Sequence, residues 1–140
     1  MESATFNATG GKTTVIKGDS IVQTDGGKTN TSNAAGNTVI DGTKTTATTA
    51  AGTTITDGAN TNTSTATSNT LKNAAGDETK VDAKGATVKY AAGNTTNVAS
   101  TGATVINAAG DTTKVEATGT TVTDTAGNKA TFTKDGVTIT

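Results

Sequence analysis

Residues 74–90 read AAGDETKVDAKGATVKY, residues 91–107 AAGNTTNVASTGATVIN, residues 108–124 AAGDTTKVEATGTTVTD and residues 125–140 TAGNKATFTKDGVTIT. The copies start 17 residues apart, and each holds two glycines about half a period apart. A fixed period of this length marks a repeat architecture, in which one copy cannot complete a core alone and stacked neighbours share one. The pattern runs upstream with wear. Glycines at 36, 52, 85, 102, 119 and 136 open GNTVID, GTTITD, GATVKY, GATVIN, GTTVTD and GVTIT, while Gly18 opens GDSIVQ and Ser68 takes the corner in SNTLKN. Eight units follow, the first of 15 residues and the rest of 16–17: 10–24, 25–41, 42–57, 58–73, 74–90, 91–107, 108–124 and 125–140. They form one repeat domain, 10–140, behind a lead or cap at 1–9 that lies outside the pattern.

The composition is far from globular. Thr fills 38 of the 140 positions and Gly 17, with no Pro, Cys, His or Trp, and Phe6, Tyr90 and Phe132 are the aromatic residues. So little apolar content usually means disorder, but strict periodicity and a net charge of −1 favour order imposed by stacking. Thr, Val and Ile suit a pleated strand, and Gly, Asn and Asp suit corners. Three residues after the second glycine stands a column of branched or aliphatic side chains: Ile21, Val39, Ile55, Leu71, Val88, Val105, Val122 and Ile139. Period-two alternation places this column inside and the preceding Thr column outside. The first strand of each unit offers Val81, Val98, Val115 and Phe132 to the interior in the C-terminal half, but Ser32, Thr48 and Ser64 in the N-terminal half. A core this thin favours assembly, and the pattern predicts an all-β, elongated parallel homotrimer, a β-prism or β-helix fibre. The alternative is a monomeric two-faced β-solenoid. Charge placement is consistent with stacked rungs: the uncharged unit 91–107 separates Lys80 from Lys114 and Asp82 from Glu116, keeping like charges off adjacent rungs.

Several functions are disfavoured. Without His or Cys there is no Ser-His-Asp or Cys-His arrangement and no zinc site, so the sequence predicts a non-enzyme with no cofactor and no metal. Eleven Lys without Arg make no stripe for phosphate or base readout, which argues against nucleic acid. The opening MESATFNATGGK lacks the apolar stretch of a signal peptide, and no run is long and apolar enough to insert in a membrane. Asp41, Asp57, Asn94, Asp111 and Asn128 beside corner glycines read as turn-formers, too sparse for a calcium roll. Sequons begin at Asn7, Asn30, Asn62 and Asn94, as expected by chance in a Thr-rich chain. Hydroxyls crowd the outward side of three units: Thr29, Thr31, Thr45, Thr49, Thr61, Thr63 and Thr65 form a candidate binding face. Stacked Thr ladders resemble the faces of ice-binding β-solenoids, which gives an alternative function.

The stretch from Asn94 to Thr140, above all GTTVTDTAGNKATFTKDGVTIT, resembles passenger repeats of trimeric autotransporter adhesins. That resemblance implies a parallel homotrimer, a stalk or adhesive segment acting by multivalent display, a host surface or matrix component as partner, and an extracellular place on a bacterial surface. Glycines every eight or nine residues between Val/Thr strands also resemble the triple-stranded β-helix of phage spikes and tail fibres, which implies a homotrimer on a virion surface.

Overall fold

The computed structural model describes residues 2–140. All its regular structure is β, and the chain divides into two compact units, Met1–Ala66 and Thr67–Thr140. The first unit holds β1 (Ala4–Ala8), β2 (Lys12–Ile16), β3 (Ser20–Asp25), β4 (Lys28–Asn33), β5 (Gly36–Asp41), β6 (Lys44–Thr49), β7 (Gly52–Asp57) and β8 (Asn60–Thr65). The second holds β9 (Ser68–Lys72), β10 (Glu78–Asp82), β11 (Gly85–Lys89), β12 (Thr95–Ala99), β13 (Gly102–Ile106), β14 (Thr112–Glu116), β15 (Gly119–Thr123), β16 (Lys129–Thr133) and β17 (Gly136–Ile139).

Within each unit, every strand pairs antiparallel with its neighbours in sequence. Each repeat is therefore a β-hairpin, two strands wide. This corrects the expected parallel prism and the solenoid alternative: within each unit the ladders are antiparallel and run between strands consecutive in sequence. The physical reason lies in the connections. Asp41-Gly42-Thr43-Lys44 joins β5 to β6 through two residues. A link that short can only reverse the chain, whereas a parallel neighbour needs a crossover of about a dozen residues or more.

Two glycine roles set the hairpins. Gly42, after Asp41, has φ +60°, the left-handed value that a two-residue turn with glycine first demands. Gly102, opening β13, has φ +139°, and a Cβ there would run into the carbonyl oxygen of Val115 on β14. Polar side chains close the other turns. The Asn33 Oδ1 accepts from the amides of Ala35 and Gly36 at 2.9 and 3.2 Å, and the Thr49 Oγ1 accepts from Ala51 at 3.2 Å.

No side chain among the described residues is fully enclosed. Ile21, Val39, Ile55, Leu71, Val105 and Val122, expected to line an interior, are 43–50% exposed, and Ile139 is 80% exposed; Val88 is half-buried. Alternation does hold, since within each unit the column members share one face and the preceding Thr column lies on the other. Order instead comes from backbone ladders and cross-strand pairs, each pair contributing about 0.2–1 kcal/mol. In the first unit Lys12–Asp25, Lys28–Asp41 and Lys44–Asp57 form ion pairs at 3.0, 2.8 and 3.3 Å. Asp25, Lys28, Asp41, Lys44 and Asp57 stand opposite one another in turn across β3 to β7. Such exposed pairs add little singly, but their alternating signs mark one register and penalise a slip.

Gly102→Ala should destabilise the second unit by about 3 kcal/mol. Gly136→Ala, with φ +138° but open space at its Cβ, should cost only about 1–2 kcal/mol. Urea denaturation of both variants separates collision from backbone strain, and equal losses would remove the collision from the account.

Candidate functional site

The two faces of the second unit differ in kind. Every charged side chain of β9 to β17 lies on one face: Lys72, Glu78, Lys80, Asp82, Lys89, Lys114, Glu116 and Lys129. There Lys80–Asp82 and Lys114–Glu116 pair at 2.9 and 2.8 Å along their own strands. The opposite face carries no charge. Across successive strands Val81, Ala86, Val98, Ala103, Val115, Thr120 and Phe132 stand opposite one another in one row. Beside it runs Leu71, Thr79, Val88, Thr96, Val105, Thr113 and Val122. Large apolar side chains thus alternate between the rows from strand to strand, with Ala or Thr between them. Val81, Val98 and Val115 are 48–51% exposed.

The first unit carries two further surfaces. A groove of about 410 Å³ is lined by residues including Phe6, Thr14, Gln23, Asn30 and Val39, with Lys12, Asp25 and Lys28 at its margin. Its amides are linked: the Asn37 Nδ2 donates to the Asn30 Oδ1 at 2.9 Å, and the Asn30 Nδ2 donates to the Gln23 Oε1 at 3.2 Å. Phe6 sits on β1, which pairs with β2; sequence reasoning set residues 1–9 aside as a lead and missed it. The candidate hydroxyl face is brought together on the other side of this sheet. Thr29, Thr45 and Thr61 fall in one row, Thr31 and Thr63 in the next, and Thr49 and Thr65 in a third. Ile40 interrupts the first row and Ala47 the second.

The Asx residues beside the glycines are turn-formers. In the 73–77 loop the Asn73 amide donates to the Asp77 carboxylate at 2.7 Å, and the Asp77 N–H donates to the Asn73 Oδ1 at 2.9 Å. Loops are then tied to one another: Asp77, Asn94 and Asp111 accept from the amides of Ala91, Ala108 and Thr125 at 3.0, 2.7 and 3.0 Å. These bonds, from Ala91 first and then Asn73, hold the Asp77 carboxyl below its ordinary 3.8. Asp124 is lowered by the Asn128 side chain first, and Asp82 by Lys80 first. A depressed carboxylate contributes stability above its ordinary value, and that stability is lost as pH falls through the folded one. The second unit should therefore loosen below about pH 4. Asp77→Asn, which copies the neutral acceptor Asn94, should keep the Ala91 bond and reduce the acid sensitivity. Thermal melts between pH 7 and pH 2 check this, and an unchanged acid profile would count against it. No group of three His, Cys, Asp or Glu able to hold a metal exists among the described residues.

No family model matches the chain, and no curated protein matches it in sequence. Solved structures do match in fold. The TCP10 domain of Danio rerio CPAP, in a structure with a peptide of Danio rerio STIL, is similar at a TM-score of 0.64 and 12% identity, over 99% of this chain and 83% of that one. The TCP10c domain of Drosophila melanogaster Sas-4 gives 0.45 at 10% identity, over 99% and 98%. The Sas-4 TCP domain with a proline-rich motif of Ana2 gives 0.39 at 11% identity, over 99% and 88%.

The TCP10 likeness corrects the resemblance to adhesin stalks and phage spikes. The expected stalk function, homotrimer, host-surface partner and bacterial or virion surface location all rested on those fibre families, and they are withdrawn with them. The repeats misled because glycine corners and Val/Thr strands serve an open antiparallel sheet as well as a trimeric prism. The ice-binding alternative assumed a solenoid and falls with it.

Proposed function

We propose that this chain is a non-enzymatic recognition platform that holds an extended segment of a partner protein on the uncharged face of its second unit. The observation that carries this reading is the unpartnered apolar face. A layered domain would cover Val81, Val98, Val105 and Val115 with a second sheet or helix, yet here about half of each stays open to solvent. A continuous apolar strip of this kind marks an interaction surface. The TM-score of 0.64 to a TCP10 domain whose structure includes a bound peptide supports the same reading. The twelve carboxylates and eleven lysines gather into no catalytic grouping in this reading. They keep the sheet soluble and in register.

The test is selection of linear peptides from a displayed library on the purified chain, followed by amide chemical-shift mapping. Shifts should centre on β10 to β15. Val105→Lys should weaken binding at least tenfold with little loss of stability, since the side chain is 48% exposed. Thr104→Lys, one residue away on the opposite face, should leave binding unchanged. Failure to select any linear peptide, or equal effects of the two substitutions, would overturn the proposal.

A further inference from the structure

We infer that the groove on the first unit is a binding site for a neutral saccharide, with the Phe6 ring against the sugar's C–H groups and the Gln23 amide donating to its hydroxyl oxygens. The platform reading concerns the second unit, and this inference is independent of it. Register builds the groove. Phe6, Thr14, Gln23, Asn30 and Val39 stand opposite one another in one row across β1 to β5. Two residues along these strands, and so on the same face, lie Lys12, Asp25, Lys28 and Asp41. The volume of about 410 Å³ falls in the range of small-molecule sites, about 300–1,000 Å³.

The polar groups have a direction. Asn37 donates to Asn30 at 2.9 Å, and Asn30 donates to Gln23 at 3.2 Å. Bonds in such a chain polarise one another, and the open end is the Gln23 Nε2 with its two N–H donors. Thr14 and then Phe6, 60% exposed, continue the row from there. The Lys12–Asp25 ion pair at 3.0 Å adds a donor and an acceptor side by side. A hydroxyl both donates and accepts, so neighbouring sugar hydroxyls can use both partners.

Charge complementarity selects this occupant over others. Lys12, Asp25, Lys28 and Asp41 alternate in sign, and carboxylates already hold the two lysines at 3.0 and 2.8 Å. The margin is neutral, and an anionic ligand would have to break a pair to gain a counter-charge. A purely apolar ligand would strip water from Gln23 and the ion pair and return no hydrogen bond. A peptide crossing the row would find the backbone of β2 to β4 committed to its ladders, leaving most of its own amides unmatched. A saccharide brings C–H faces for the ring, hydroxyls for the amides, and no charge.

The experiment titrates the isotope-labelled full chain with hexasaccharides of glucose, galactose, mannose and N-acetylglucosamine, following the Gln23 and Asn30 side-chain amide resonances. At least one should shift them at millimolar saccharide, equally at low and high salt. Phe6→Tyr should bind like the native chain. Phe6→Leu, apolar but without a ring, should weaken binding at least tenfold. Gln23→Glu, still able to accept from Asn30 but with no N–H to give, should do the same. Val105→Lys, in the second unit, should leave saccharide binding unchanged. If Gln23→Glu disturbed the fold, Phe6→Leu, at an exposed side chain, would still decide. No shift with any of the four, native binding by Phe6→Leu, or binding that falls as salt rises would overturn the saccharide site. Shifts of these amides by a library-selected peptide, with none by any saccharide, would overturn it too. Saccharide binding in a chain that selects no linear peptide would leave this site standing while the platform fell.

Discussion

The rest of the structure depends on the tight turn that lays each strand against the one just made. Asp41-Gly42-Thr43-Lys44 and the glycine-ended returns leave the chain no length for any other connection. Each strand then completes its hydrogen bonds with its neighbours in sequence. Contacts of such low sequence separation cost little loop-closure entropy. That lets a chain with no enclosed side chain among its described residues order itself at all. Alternating charges in the first unit and linked Asx loops in the second perform the same task, tying each hairpin to the next and discouraging a shift of register.

A sheet that solves its stability this way has no need to bury either face. Charge goes to one side of the second unit, and apolar side chains remain on the other because strand propensity asks for Val and Ile wherever they stand. The apolar side is then both a liability and an opportunity. Thr and Ala between the valines keep it from being a flat greasy plane, and they give it a regular relief. The recognition surface is a direct product of the repeat, so its spacing is fixed by backbone geometry and not by any one side chain.

Much of this was legible in the sequence. The period, the strand strings and the sharing of a face by Val39 and Ile55 or by Val88 and Val105 all follow from alternation and glycine spacing. The parallel arrangement did not follow, because alternation is identical in parallel and antiparallel strands. The discriminating signal was the two-residue gap at Asp25-Gly26-Gly27-Lys28 and its later copies, a hairpin signature. The charge pattern misled for the same reason. Lys80 and Lys114 were read as two rungs apart in a parallel stack, whereas each repeat is two strands wide and they stand four strands apart. Phe6 was missed because it precedes the first repeat, where periodicity has nothing to say. No single residue signalled that the apolar column would stay half open, since that depends on the absence of a second layer.

The sequential pairing of neighbours also decides how this protein would respond to force. A load that peels a hairpin apart at its open end acts on its ladder bonds one after another, toward the turn. A hairpin at an edge would come away first, because every interior hairpin is also laddered to a strand on each side. Within each unit, unravelling would thus proceed from an edge inward, like a row of stitches.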